Sequence, residues 1–129
     1  MGGTAGTMAA SILVVDDDRD ARDAIALALE ERGYAVTTAV DGQDALNRLR
    51  AGLRPSVIVL DLHMPVKSGW DFRTQLRSYP ELAGIPVVGC SADPFLAQKA
   101  AALGFADAFT KPFDMETLIG SVARLAAAS

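Results

Sequence analysis

Short apolar runs and amphipathic helical stripes alternate five times along this chain, and that alternation leaves few folds open. Ile12-Leu13-Val14-Val15 is a continuous β-branched run of the kind expected for a strand covered on both faces. Further strands are expected at residues 34–39, 57–60, 86–90 and, briefly, about 108–110. Between them lie helical stripes. Residues 19–32 carry Ala21, Ile25, Ala28 and Leu29 on one side, after Asp18 as cap and before Gly33 as stop. Asp41 reads as the cap of a second helix, with Ala45, Leu46 and Leu49 inward and Gly52 at its end. Phe72, Leu76 and Tyr79 mark a third. An alanine-rich fourth, about residues 94–103, stops at Gly104. The last carries Leu118, Ile119, Val122 and Leu125 after Asp114 as cap. Strands and helices that alternate in this way build a parallel sheet with helices on both faces.

The chain has 129 residues, enough for one domain with a real core, and a net charge of −4, which gives no basic footprint for nucleic acid. Cys90 is the one cysteine, so no internal disulfide is possible, and its apolar surroundings suggest a small buried hydrophobe. No stretch approaches the ~20 apolar residues of a membrane span. Residues 1–10 lack a basic n-region and read as a flexible leader or an expression remnant, which leaves residues 11–127 as the folded unit.

The chemistry sits where apolar runs end. The first runs into Asp16-Asp17, the third into Asp61, and the fifth into Lys111-Pro112. In a parallel sheet these ends share one edge, the crevice where open α/β sheets bind ligands. Packed carboxylates repel, and burial raises their pKa values. A divalent cation resolves that conflict, and oxygen ligands suit Mg²⁺. Acid runs also simply begin helices, and Asp18 is assigned that plainer role.

The segment Asp61-Leu62-His63-Met64-Pro65-Val66-Lys67-Ser68-Gly69 resembles the phosphoacceptor segment of response-regulator receiver domains. Asp16-Asp17 matches that family's acid pair, Ser91-Ala92 its hydroxyl residue after strand four, and Lys111-Pro112-Phe113 its lysine-proline segment. The match runs from Ser11 to Leu125 in order and spacing. The resemblance implies a flavodoxin-like doubly wound sheet of five parallel strands in order 2-1-3-4-5, with five helices. It implies that Asp61 accepts a phosphoryl group from a histidine kinase or phosphotransfer protein in a two-component relay. Asp17 and Asp61 would bind Mg²⁺ directly, Asp16 through water, and the His63 backbone carbonyl would complete the protein's share. Lys111 and the Ser91 hydroxyl would contact phosphoryl oxygens, and the Lys111-Pro112 bond would be cis. His63 and Asp93 are expected to modulate loss of the phosphoryl group. The implied role is a cytoplasmic switch, signalling by protein–protein contact to an unknown target and not a metabolic enzyme, with no nucleic-acid or membrane partner.

Two features depart from the family: the segment from Ser91 to Gly104 is shorter than usual, so helix four must start promptly after Ser91, and one strand-five position differs. Where most receivers carry Tyr or Phe three residues before the lysine, this chain has Ala108. Phe109 is adjacent, but strand alternation sends it to the other face. The usual relay by an inward-turning ring is therefore in question. Trp70 and Phe72 are expected to pack in the core. A small hydrolase with an aspartate nucleophile, a pseudo-receiver and a receiver cut from a longer protein are the competing readings. The first needs a cap or substrate pocket that no insertion here supplies, and intact Asp17, Asp61 and Lys111 oppose the second.

Overall fold

The structure, a computed structural model, describes residues 10–63, 69–102 and 104–128. Five strands form one parallel sheet: β1 (Ser11–Val15), β2 (Ala35–Ala39), β3 (Val57–Asp61), β4 (Val87–Ser91) and β5 (Asp107–Thr110), in spatial order β2-β1-β3-β4-β5. β1 lies between β2 and β3, with Leu13 opposite Thr37 on one side and Ile58 on the other. The order and direction are those expected from the sequence.

Six helices occur among the described residues: α1 (Arg19–Glu30), α2 (Gly42–Arg50), α3 (Gly69–Arg77), α4 (Pro80–Ala83), α5 (Pro94–Ala102) and α6 (Met115–Ala128). The sequence pattern predicts five. The addition, α4, is a single turn opened by Pro80, with Leu82 buried beneath it. Tyr79, assigned above to helix three, instead precedes α4 and is half-buried. Asp18, Asp41 and Asp114 cap as expected, accepting from the amides of Asp20, Asp44 and Glu116.

Strand alternation divides the core in two. Leu13, Val15, Ile58, Leu60 and Val87 face α2, α3, α4 and α5, where Phe72 and Leu76 are fully buried. Ile12, Val14, Val57, Val59 and Val88 face α1 and α6, meeting Ile25, Leu29, Leu118 and Val122. Both faces of β1 and β3 are therefore covered, which is why their sequences read as unbroken apolar runs. Cys90 is buried in the second cluster, and burial pushes its thiol up to about 12, so it packs rather than reacts. Trp70's side chain lies outside the described residues. No helix among the described residues is long and apolar enough to cross a membrane.

Candidate functional site

β1 and β3 are neighbours and parallel, so the residues just past their ends emerge side by side. Asp16 and Asp61 are 2% and 7% exposed, while Asp17, one residue on, is exposed. Carboxylate oxygens of Asp16, Asp17 and Asp61 all lie within 4.8 Å of one another. Local backbone fixes two of the three. The amide of Asp18 donates to Asp16 Oδ1 at 2.9 Å, and the amide of His63 donates to Asp61 Oδ1 at 3.1 Å. From α1, Arg22 Nη1 donates to the Asp16 carbonyl at 3.0 Å, clipping the acidic turn to the helix it introduces. The sequence pattern alone does not single out Arg22.

Lys111 enters from the other side of the sheet centre. Its amide donates to the Ser91 carbonyl at 2.7 Å, and its peptide bond to Pro112 is cis. The ammonium sits 3.2 Å from Asp16 Oδ2 and 3.8 Å from Asp61 Oδ1. Burial alone would lower its pKa, but the charges of Asp16 and Asp61 reverse that and hold it above the usual lysine value. For Asp61 burial wins. The carboxyl is pushed up to about 6, with Asp16 and Asp17 adding to the shift and the His63 amide and Lys111 opposing it.

Ser91 ends β4 fully buried, one residue beyond Cys90, which pairs with Asp61. Its Oγ accepts from the Asp93 amide at 3.0 Å, so its own O–H remains available to donate. Asp93 in turn caps α5, accepting from the Phe95 amide at 2.9 Å. His63 is exposed, and what touches Asp61 is its amide. Residues 64–68, which carry the Met64-Pro65 part of the motif, lie outside the described residues. Gly69 does not: a Cβ there would fall 2.8 Å from the Asp61 carbonyl oxygen and from Leu62 Cα. Only glycine lets α3 start this close to the end of β3.

The carboxylates fit a hard divalent cation. Three oxygen donors converge and Lys111 offsets one of their charges, while burial first, and then the neighbouring carboxylates, hold the Asp61 pKa up. Beside the site runs an open groove of about 450 Å³ lined by Ala21, Ala24, Ile25, Pro112, Phe113 and Met115, with Lys111 at its edge.

Ala108 and Phe109 occupy opposite sheet faces, as alternation requires: Ala108 packs against the α3–α5 cluster and Phe109 against the α1–α6 cluster, where it meets Phe113 at 6.0 Å between ring centroids. The ring that lies over Gly89, the register partner of Ala108, is Phe105, a residue the sequence pattern does not mark. It is 6% exposed, and lies so close to Gly89 that a Cβ there would meet it at 3.1 Å.

Comparison with known proteins agrees with this geometry. The profile of the response regulator receiver domain matches residues 12–123. The response regulator MprA of Mycolicibacterium vanbaalenii is 38% identical over 120 residues, covering 92% of this chain and 51% of its own. The chain thus spans about half the length of the curated relatives of this kind that it matches. Among solved structures, the chemotaxis response regulator CheY4 of Vibrio cholerae is 32% identical, with TM-score 0.82 over 92% of this chain and 99% of its own. The receiver domain of a signal transduction histidine kinase from Syntrophus aciditrophicus is 30% identical, with TM-score 0.83 over 93% and 92%. With a matching profile over nearly the whole fold and relatives of the same kind in sequence and structure, the chain belongs to the family of response regulator receiver domains.

Proposed function

We propose that residues 11–127 act as a phosphoaspartate switch in which Asp61 accepts a phosphoryl group from a phosphohistidine of a kinase or phosphotransfer protein. The observation that carries this reading is the buried Asp61 carboxylate flanked by Asp16, Asp17 and the Lys111 ammonium. An Asp61 oxygen forms the new P–O bond as the P–N bond to the donor imidazole breaks, with the electron pair and a proton ending on that imidazole. A carboxylate is a poor nucleophile toward a phosphoryl dianion, so charge neutralisation governs the rate. Asp16, Asp17 and Asp61, with the His63 carbonyl, would hold Mg²⁺, which supplies electrostatic relief to the transferring group. Lys111 exchanges its contact with Asp16 for a phosphoryl oxygen, acting as a point charge. Ser91 donates its free O–H to another. His63 and Asp93 stand at the mouth and tune the access of the water that ends the signal.

The groove beside Lys111 suits the donor protein: its walls are apolar and partly exposed on α1 and after Pro112. A histidine kinase presents its phosphohistidine in the cytoplasm, where this reading places the chain. Incubation with acetyl phosphate and Mg²⁺ tests the central claim. Wild type should become a phosphoprotein, Asp61→Asn should not, and Asp17→Asn should need far more Mg²⁺. Labelling of Asp61→Asn at the wild-type rate would sink the assignment.

A further inference from the structure

The side of the sheet where Ala108 leaves no ring is closed by a pair of side chains from distant elements. Phe105, in the turn between α5 and β5, lies over Gly89 of β4, whose register partner on β5 is Ala108. The Arg73 guanidinium of α3 covers that ring, its Cζ 5.6 Å from the centroid, and Nη2 donates to the Gly104 carbonyl at 3.2 Å. Nε and Nη1 of Arg73 are buried without a hydrogen-bond partner. Burial, with the charge of Arg77 behind it, lowers the pKa of this guanidinium. A cation held with two donors unmet has a competing state in which water satisfies them.

We propose that Arg73 and Phe105 form a latch between α3 and the α5–β5 turn, and that phosphorylation of Asp61 releases it. The inference rests on the phosphoacceptor reading above and adds the route by which the site is heard elsewhere. Two lines reach the latch. Gly69, one turn before Arg73, is pressed against the Asp61 and Leu62 backbone, so a shift at the end of β3 moves the start of α3. Gly89 lies two residues before Ser91, so a pull on the Ser91 hydroxyl is felt under the Phe105 ring. Leu62 Cδ1 also approaches Gly89, within 3.4 Å of where a Cβ would stand. Closed and open latches differ in contacts that both lines touch, which is what a ligand needs in order to shift a population.

The test uses the whole chain with its five phenylalanines replaced by 4-fluorophenylalanine, the Phe105 line being assigned from Phe105→Leu. Loading with Mg²⁺ and beryllofluoride should shift or broaden that line. It should also speed exchange of the Phe105 and Ala106 amides, which bond Ala100 and Val87, by about tenfold. Arg73→Met keeps the stem and loses the donors, so its unloaded Phe105 line should already lie toward the loaded wild-type position. Arg73→Lys, which keeps the charge without the planar fork, serves if the first variant does not fold, and should shift the same way. A loaded wild type with an unmoved Phe105 line, or an unloaded Arg73→Met spectrum that superposes on wild type, overturns the latch. Bound beryllofluoride has its own resonance. Its absence would count against the phosphoacceptor reading, while the unloaded comparison still decides whether Arg73 holds Phe105.

Discussion

The Lys111 ammonium stands 3.2 Å from Oδ2 of Asp16, tying the turn after β5 to the turn after β1 across the centre of the sheet. It lies closer to Asp16 than to the proposed phosphoacceptor. The resting site is therefore partly neutralised from within, and the remaining negative charge faces outward through exposed Asp17.

Lys111→Met separates the resting role of the ammonium from its proposed role toward the phosphoryl group. Without the ammonium, Asp16 and Asp61 are left as facing carboxylates, and stability at pH 7 should fall by about 1–2 kcal/mol, the lysine being partly solvated. The loss should shrink as the pH drops below about 6 and Asp61 takes up a proton, leaving the part that comes from the closer Asp16 contact. Mg²⁺ affinity should hold or rise, because a competing cation is gone, whereas phosphorylation by acetyl phosphate should drop at least about tenfold. Thermal melts over pH, a Mg²⁺ titration and a labelling rate check the three parts. Unchanged labelling with weakened Mg²⁺ binding would reverse the assignment.

The raised Asp61 pKa predicts the pH dependence of the metal-free protein. The folded value, about 6, lies above the ordinary 3.8, so the native state holds this proton longer than the unfolded chain does. This contribution is then fully present below about pH 3.8 and is lost as the pH rises through about 6. Asp61→Asn removes the cost. Its advantage over wild type should be absent near pH 4 and reach on the order of 1–3 kcal/mol above pH 6. Mg²⁺ at pH 7 should close most of that gap by stabilising wild type. A variant that melts below wild type at neutral pH would show that Asp61 is held by its partners more than it is strained by burial.

Much of this site was legible in the sequence because a parallel sheet covered on both faces announces its strands as apolar runs, and the residues just past each run must sit on one edge. Asp16, Asp17, Asp61 and Lys111 stand out in that way, Ser91 only through the family resemblance, and the caps Asp18, Asp41 and Asp114 by their position before helical stripes. The features that the sequence hides depend on contacts between elements. Arg73 and Phe105 lie 32 residues apart, and nothing local distinguishes that arginine from the exposed Arg77 a turn later. Phe105 reads as part of a loop because it lies just before the start of β5. The one-turn α4 is too short for a stripe, and its Pro80 reads equally well as a loop residue. The different burial of Asp16 and Asp17 comes from the alternation of β1 continuing one residue past its end.

Gly69 gives a prediction about packing at the proposed phosphoacceptor. Gly69→Ala would put a methyl carbon 2.8 Å from backbone atoms of Asp61 and Leu62, which have no rotamer to escape into. The start of α3 must back away, at about 1–3 kcal/mol. The displaced segment adjoins Asp61, so the labelling rate should fall together with stability. Gly84→Ala meets no atoms within 4 Å and serves as the control, with both quantities unchanged. Equal behaviour of the two variants would mean that the contact at Gly69 relaxes without cost.

The groove beside Lys111 separates a small phosphodonor from a protein one. Ala24 is exposed on α1 and lines the groove. Ala24→Glu places a charge in an apolar wall that a donor protein must cover, and burying an unpaired charge at an interface is costly. Acetyl phosphate is small enough to reach Asp61 without touching that wall. Labelling by acetyl phosphate should therefore match wild type, while transfer from a phosphohistidine protein should slow by about tenfold or more, with the loss in apparent affinity and not in the rate at saturation. A parallel fall in both assays would mean that the substitution distorts α1 and, through Arg22, the Asp16 turn. Equal transfer by wild type and variant from every phosphohistidine donor tried would move the docking surface elsewhere on the domain.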